Sequence, residues 1–498
     1  MRWGVTKRAF RRTSRNLDAL IEPGSIAGAG ASDGPARAGG VMVRKLLRGG
    51  FTGTLMPVNP KGGSVAGVAS FRAVAVLPSA PDLAVICTPA ASVPGIVEDL
   101  AELGTRAVVV FAAGMLAAAP GEGEILQQRM LDAARPHLLR ILGPNCLGLM
   151  VPGASLNASF AHVDALPGRL AFVSESGALC SGVLDWARSN EIGFSHFVSL
   201  GDSADVDAGD MLDYLGGDPS VAAILLHLES IDEARKFMSA ARGAARNKPV
   251  LVIKSSRDEP NGRLATAPTP ALPPADEVYD AALSRTGMLR VYGFEELFAA
   301  AETLTRARRI HGERLAILSN GAGPGLMATD VLLRGGGTLA KLDPETIARL
   351  DEVMPPAWSR SNPVDILGDA PSDRYSAALR VLLDAVEIDC VLVLHTPTAI
   401  ASSDDAARAV VQTLEEKQRA RIVLTSWLGG EAAHPPRHLL RQAGIATYDT
   451  PESAVRAFLH MVRYGRNQDL LMETPLSSPT EFEPRTSDAR QIIEGALA

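Results

Sequence analysis

The chain has 498 residues, a formal net charge of −7 and a pI near 5.8. That length predicts roughly three domains of ordinary size, each able to bury its own core. The acidic balance argues against nucleic acid as the main partner, and no apolar run reaches the roughly 20 residues that span a bilayer.

The first fifteen residues carry Arg2, Lys7, Arg8, Arg11, Arg12 and Arg15 and no acid. No apolar core or cleavage site follows, so residues 1–18 read as a disordered basic extension. From there the chain repeats strand, turn and helix. Across residues 19–152, buried strands are predicted over 25–31, 53–58, 83–88, 107–111 and 140–142, with helices over 41–48 and 95–103 between them. A second cycle, 165–305, has strands over 169–173, 194–200, 222–228 and 249–254. A third, 312–465, has strands over 314–318, 390–395 and 420–426. Residues 466–498 read as a linker-like tail ending in an amphipathic piece over 488–497. Such alternation implies parallel sheets with helices on both faces, here three consecutive doubly wound α/β domains.

The first strand runs into Gly28-Ala29-Gly30-Ala31-Ser32, then Gly34, Arg37, Gly39 and Gly40 before a helix. A glycine-rich first turn of this kind suits a nucleotide or its pyrophosphate. NAD would need an acid closing the second strand, yet that strand ends Pro57-Val58-Asn59-Pro60-Lys61. Lys61 suits a ligand with an extra phosphate near its ribose, coenzyme A or NADP; the alternative is a solvated loop lysine. Two further turns, Ser174-Glu175-Ser176-Gly177-Ala178 and Ser319-Asn320-Gly321-Ala322-Gly323, each join an apolar strand to a helix. N–H groups and the helix dipole at such a start favour phosphate; singly, either turn is also explained as an ordinary corner. Glu175 is awkward there, because a carboxylate beside a phosphate is repulsive unless it points away.

Glu229 and the acids of 201–207 lie near strand ends, where they orient a basic group, bind a cation or, more commonly, are simply solvated. His227 and His395 read as satisfied strand-end residues. Cys87, Cys146, Cys180 and Cys390 lack metal-ligand spacing and read as reduced thiols of a cytoplasmic protein. No metal site is expected.

Taken in order, segments 25–32, 57–61, 143–148, 156–160, 172–178, 185–187, 198–207, 319–323 and 361–365 resemble the NDP-forming acyl-CoA synthetases of the succinyl-CoA synthetase superfamily. The resemblance spans residues 17 to 470. It implies a Rossmann-like CoA-binding domain followed by two flavodoxin-like domains. It also implies CoA (acetyl-CoA) contacts from Gly30, Ser32, Gly34, Lys61, Thr88, Pro89, Ala113 and Gly114. Ser174, Ser176 and Gly177 would face one phosphate, and Gly321, Ala322 and Gly323 another. Glu229 would steady a phosphorylated histidine on a mobile loop that carries phosphate to an ATP-grasp domain.

That histidine is missing. Counting back without gaps from Asp276, Pro268 takes its place, and proline cannot accept a phosphoryl group. Glu175 also replaces the family's usual glutamine. Histidine loss of this kind resembles the synthetase-like region of large bacterial protein lysine acetyltransferases, which carry a GNAT domain. The expectation from sequence is therefore an acyl-CoA-binding, catalytically degenerate regulator or scaffold, homo- or hetero-oligomeric, with a separate GNAT or ATP-grasp partner. Its rival is the α-type subunit of an ADP-forming acyl-CoA ligase that works with an ATP-grasp subunit.

Overall fold

The computed structural model describes residues 15–34, 37–115, 122–255, 276–306, 310, 312–418, 421–473 and 486–497. In the first sheet, strands β1 (Ser25–Ala29), β2 (Thr54–Val58), β5 (Leu83–Ile86), β6 (Ala107–Val110) and β7 (Arg140–Leu142) are all parallel, in the order β2-β1-β5-β6-β7. A two-stranded hairpin, β3 (Ser64–Val65) and β4 (Val68–Ala69), lies beside it. Every residue of β5 and β6 is buried, as helices on both faces of a parallel sheet require.

The second sheet has the order β14-β13-β12-β10-β11-β8-β9. Its members are β8 (Gly148–Val151), β9 (Leu156–Ser159), β10 (Leu166–Ser174), β11 (Gly193–Ser199), β12 (Ala223–Leu228), β13 (Val250–Lys254) and β14 (Leu289–Arg290). The third runs β16-β15-β18-β19-β20, with β17 also beside β15. It is built from β15 (Arg314–Ser319), β16 (Thr338–Leu339), β17 (Val364–Asp365), β18 (Cys390–His395), β19 (Ile422–Trp427) and β20 (Ala446–Tyr448), all parallel. The fold is therefore α/β throughout, with three doubly wound sheets.

Two features differ from the sequence expectation. β8 and β9, over residues where no strand was expected, form an antiparallel hairpin on the edge of the second sheet. The helix Pro451–Met472 also runs through the boundary expected at 465. It continues because its polar residues are used inside the protein: Asn467 Nδ2 donates to Met288 O (2.6 Å), and Gln468 Nε2 to Gly287 O (2.8 Å) and Ala245 O (3.2 Å);.

The first and second sheets are stitched together by the segment after β11. Asp202 N donates to Pro144 O (2.9 Å), Ala204 N to Gly143 O (3.0 Å) and Val206 N to Ile141 O (3.0 Å). Arg140, largely buried, bonds Asp205 and Asp210, each at 2.9 Å. Asp207 caps the helix Ala208–Gly216 in a reciprocal box with Asp210. Asp205 thus orients Arg140 across the two sheets, while Asp207 serves the helix start, so neither is a merely solvated acid.

Candidate functional site

In each sheet the chain reverses its direction of winding beside one strand, opening a crevice at the strands' C-terminal ends. These points lie between β1 and β5, between β10 and β12, and between β15 and β18. Gly30, Ser174 and Ser319, the residues singled out in sequence, stand at these three places.

At the first crevice Gly30 has φ +82°, and a Cβ there would lie 2.7 Å from the Thr88 methyl. Only glycine fits both restrictions. The following helix, Ala38–Arg48, packs so closely that a Cβ on Gly40 would meet Ser32 O at 2.1 Å. Asp33 accepts from Ala66 N (2.7 Å), tying the glycine-rich loop to the β3–β4 hairpin. Lys61 is exposed, with Arg72 packed beside the neighbouring Gly62. Thr88 Oγ1 is buried with no partner among the described residues. An orphaned hydroxyl on the residue packed against the glycine-rich loop fits an anionic nucleotide tail such as that of coenzyme A. Pro89 follows Thr88, and Ala113 and Gly114 end the next strand's turn.

At the second crevice the helix Gly177–Ser189 begins against the first domain, where a Cβ on Gly177 would lie 3.7 Å from Leu147 N. Ser176 caps it, accepting from Leu179 N (3.4 Å), which leaves the N–H groups of Gly177 and Ala178 without intrahelical acceptors. Ser174 is fully buried and acts from beneath: its Oγ accepts from Ser176 N (3.1 Å) and meets His227 Nδ1 (3.1 Å). Glu175 points away from the helix start, as its charge requires. Its carboxyl accepts from Glu229 N (2.5 Å) and Ser230 N (3.2 Å). Burial, with Glu229 and Asp232 nearby, pushes it up to about 7, against the pull of those two N–H groups.

Three groups that sequence alone does not mark as site residues also converge here. His227 is 1% exposed, and its Nε2 meets Ser255 Oγ at 2.7 Å. Lys254, 5% exposed, lies over the Tyr279 ring (4.7 Å to its centre). Burial lowers its ammonium, partly offset by the Glu175 carboxyl. Arg290, 3% exposed, bonds Asp276 Oδ1 at 2.5 Å. The pairings run from one element to another, strand to strand or strand to the helix Asp276–Arg285, so spacing along the chain carries no sign of them. Pro268 lies outside the described residues.

At the third crevice Ser319 Oγ donates to Gly321 O (2.8 Å), and buried Asn320 exchanges two bonds with Thr396, each 2.8 Å. The helix Ala322–Arg334 starts there with Ala322 and Gly323 exposed. Thr396 Oγ1, Thr398 Oγ1 and Ser426 Oγ are buried without partners among the described residues. Asn362, from the motif at 361–365, braces the sheet by bonding Ile317 N (2.9 Å), Leu315 O (2.9 Å) and Ala340 O (2.8 Å).

The four cysteines are poor candidates for a nucleophile. Burial pushes the thiols of Cys87, Cys146 and Cys180 up to about 12 and raises Cys390 too. Among the described residues no group of His, Cys, Asp and Glu could hold a metal ion, and no helix is long and apolar enough to cross a membrane.

Three family models match in succession: a CoA binding domain over residues 24–152, a succinyl-CoA ligase-like flavodoxin domain over 167–304, and a ligase-CoA domain over 315–470. The chain is 34% identical over 455 residues to acetate–CoA ligase [ADP-forming] I subunit alpha of Pyrococcus furiosus, covering 91% of this chain and 98% of that one. It is 36% identical over 481 residues to acetate–CoA ligase [ADP-forming] I of Archaeoglobus fulgidus, covering 97% of this chain and 68% of the relative. A solved dinucleotide-forming acetyl-coenzyme A synthetase 1 of Ca. Korarchaeum cryptofilum, in its apo form, superposes with a TM-score of 0.82 at 32% identity. That match covers 93% of this chain and 100% of the other. With its CoA-binding first domain and two ligase domains, the chain belongs to the ADP-forming acetate–CoA ligase family, in its α-type, succinyl-CoA synthetase-like form.

Proposed function

We propose that the chain is the α-type subunit of an ADP-forming acyl-CoA ligase, binding coenzyme A and working with a separate ATP-grasp subunit. The observation that carries this is the reach of the likeness, which extends over 98% of a relative that is itself named as a subunit alpha. The same relatives turn the preference away from the regulatory reading favoured by sequence alone, because they are named for ligation. In this proposal Gly30, Ser32, Gly34, Lys61, Thr88, Pro89, Ala113 and Gly114 hold CoA. Gly177 holds phosphate through its N–H, with Ser174 and Ser176 shaping the turn, while Gly321, Ala322 and Gly323 form the second cradle. Glu229 stands beside Glu175, ready to orient a basic group.

One observation favours a second reading, an acyl-CoA-responsive regulator of a partner such as a GNAT acetyltransferase: Pro268 at the position of the phosphate-carrying histidine. Incubating the chain with a purified ATP-grasp subunit, acetate, CoA and ATP separates the two. ADP formation that requires both CoA and this chain is the expected result. Acyl-CoA binding by calorimetry without any ADP formation would overturn the ligase proposal and leave the regulator.

A further inference from the structure

We infer that the amphipathic helix Thr486–Leu497 docks its apolar side into a groove between the helix Ala234–Asn247 and the end of the helix Pro451–Met472, so that the chain straps its own second domain. The helix lies beyond the ligase-CoA match, which ends at residue 470, so none of the three ligase domains accounts for it. Ile492, Ile493 and Ala496 share one side of it by their spacing. All three are exposed, Ile492 by 73% and Ile493 by 58%. A helix of 12 residues that includes Gly495 is marginal in water on its own. Its stability therefore calls for a surface that covers that side.

The groove offers such a surface. Its volume is about 1020 Å³, and Met238, Leu471 and Met472 supply its apolar lining. Along it, Arg235, Arg242 and Arg246 follow one line of the helix Ala234–Asn247, at seven- and four-residue spacing. All three are exposed and none is ion-paired among the described residues, whereas Lys236 of the same helix is held by Asp207 and Asp210. Such a row selects an acidic guest. Asp488 stands one turn before Ile492, on the border of the apolar side, and Arg490 borders the opposite edge. Laid with Ile492 and Ile493 on Met238 and Leu471, the helix can set Asp488 against the arginine row with Arg490 turned from it. The connection is long enough: residues 474–485 join Glu473, which borders the groove, to Thr486, and a dozen residues reach up to about 40 Å. A helix tethered this way is present at an effective concentration on the order of millimolar, which favours it over a second copy of the chain.

The test is hydrogen exchange read by mass spectrometry on the full chain, at low and at high protein concentration, with a synthetic peptide of residues 486–498 as the reference. The expected result is that the helix amides exchange at least about tenfold more slowly in the chain than in the peptide, and equally at both concentrations. Ile492→Asp with Ile493→Asp, or Met238→Asp alone, should return them to the peptide rate, and Arg242→Glu should reduce the protection several-fold. Urea unfolding of Met238→Asp checks that the groove itself survives. The isoleucine pair lies on the exposed helix alone and carries the test if it does not. Exchange at the peptide rate in the unaltered chain overturns the inference. So does protection that grows with concentration, which marks a second copy, or that survives both Met238→Asp and Arg242→Glu, which places the helix elsewhere. Protection that appears only when an ATP-grasp subunit is added assigns the helix to that partner and overturns the inference too.

Discussion

A carboxyl group beside an anion cradle must direct its charge elsewhere, and Glu175 directs it to the N–H groups of Glu229 and Ser230. Those bonds do not fully offset burial, which holds the group at about 7 against an ordinary 4.5. A raised folded pKa has a definite consequence. The stability it contributes is complete below the unfolded pKa and is lost as pH rises through the folded value. The loss therefore falls between about 4.5 and about 7. Glu175→Gln keeps the shape without the charge, so it should stabilise the protein at pH 8, on the order of 2 kcal/mol, and change little at pH 4. Urea unfolding at the two pH values checks this; an equal effect at both removes the account. Lys61 is the complementary case, an exposed cation in the loop that also carries Arg72. Lys61→Ala should weaken CoA binding roughly tenfold and reduce its salt dependence, as loss of one charge-assisted contact to phosphate does. Calorimetry at two salt concentrations measures both, and unchanged affinity would remove Lys61 from the CoA site.

The elements were legible where each declares itself alone. β5 and β6 are continuous apolar runs, and β12, β13 and β18 nearly so, all buried on both faces, and such runs read directly as parallel strands. Glycine-rich turns were equally visible, because Gly30 and Gly40 answer local backbone needs. What escaped depends on partners distant in sequence. The β8–β9 hairpin belongs to the second sheet only because Leu149 and Met150 pair with Val198 and Phe197. The last turns of Pro451–Met472 are held by carbonyls of residues 245, 287 and 288. His227, Lys254 and Arg290 entered the site in the same way, by contacts across strands and loops. The seam between the first two sheets shows how strong such a contact should be. Arg140 lies between Asp205 and Asp210, with Asp210 only 5% exposed. Arg140→Met leaves these carboxylates with Lys236 as the remaining cation on Asp210, and should cost about 3 kcal/mol. A double-mutant cycle with Asp205→Asn, read by urea unfolding, should give a coupling above about 1 kcal/mol. Strict additivity would show that the seam is held by the backbone bonds alone.

At the scale of the whole chain, the three sheets repeat one device, a crevice at the point where winding reverses, and differ in what fills it. The first presents a glycine loop with Lys61 and the orphaned Thr88 hydroxyl, the others a helix start each. The turn after β7 reaches the second helix start directly, since Leu147 N donates to Ser199 Oγ (3.0 Å) beside Gly177. In the proposed ligase, counting along the sequence puts Pro268, which offers no nucleophile, where the resemblance implies the phosphate carrier. If the rest of the machinery is intact, that single residue limits ligation. Pro268→His should then yield an acid-labile phosphoprotein from acetyl-CoA and phosphate, and raise ADP-forming turnover with an ATP-grasp subunit at least about tenfold, because a covalent carrier splits the transfer into two easier steps. An acid-labile label on the unaltered chain would instead show that another residue carries phosphate. A Pro268→His chain that binds CoA and phosphate yet takes up no label would place the defect in the surrounding loop, and the cradle would then serve to sense acyl-CoA.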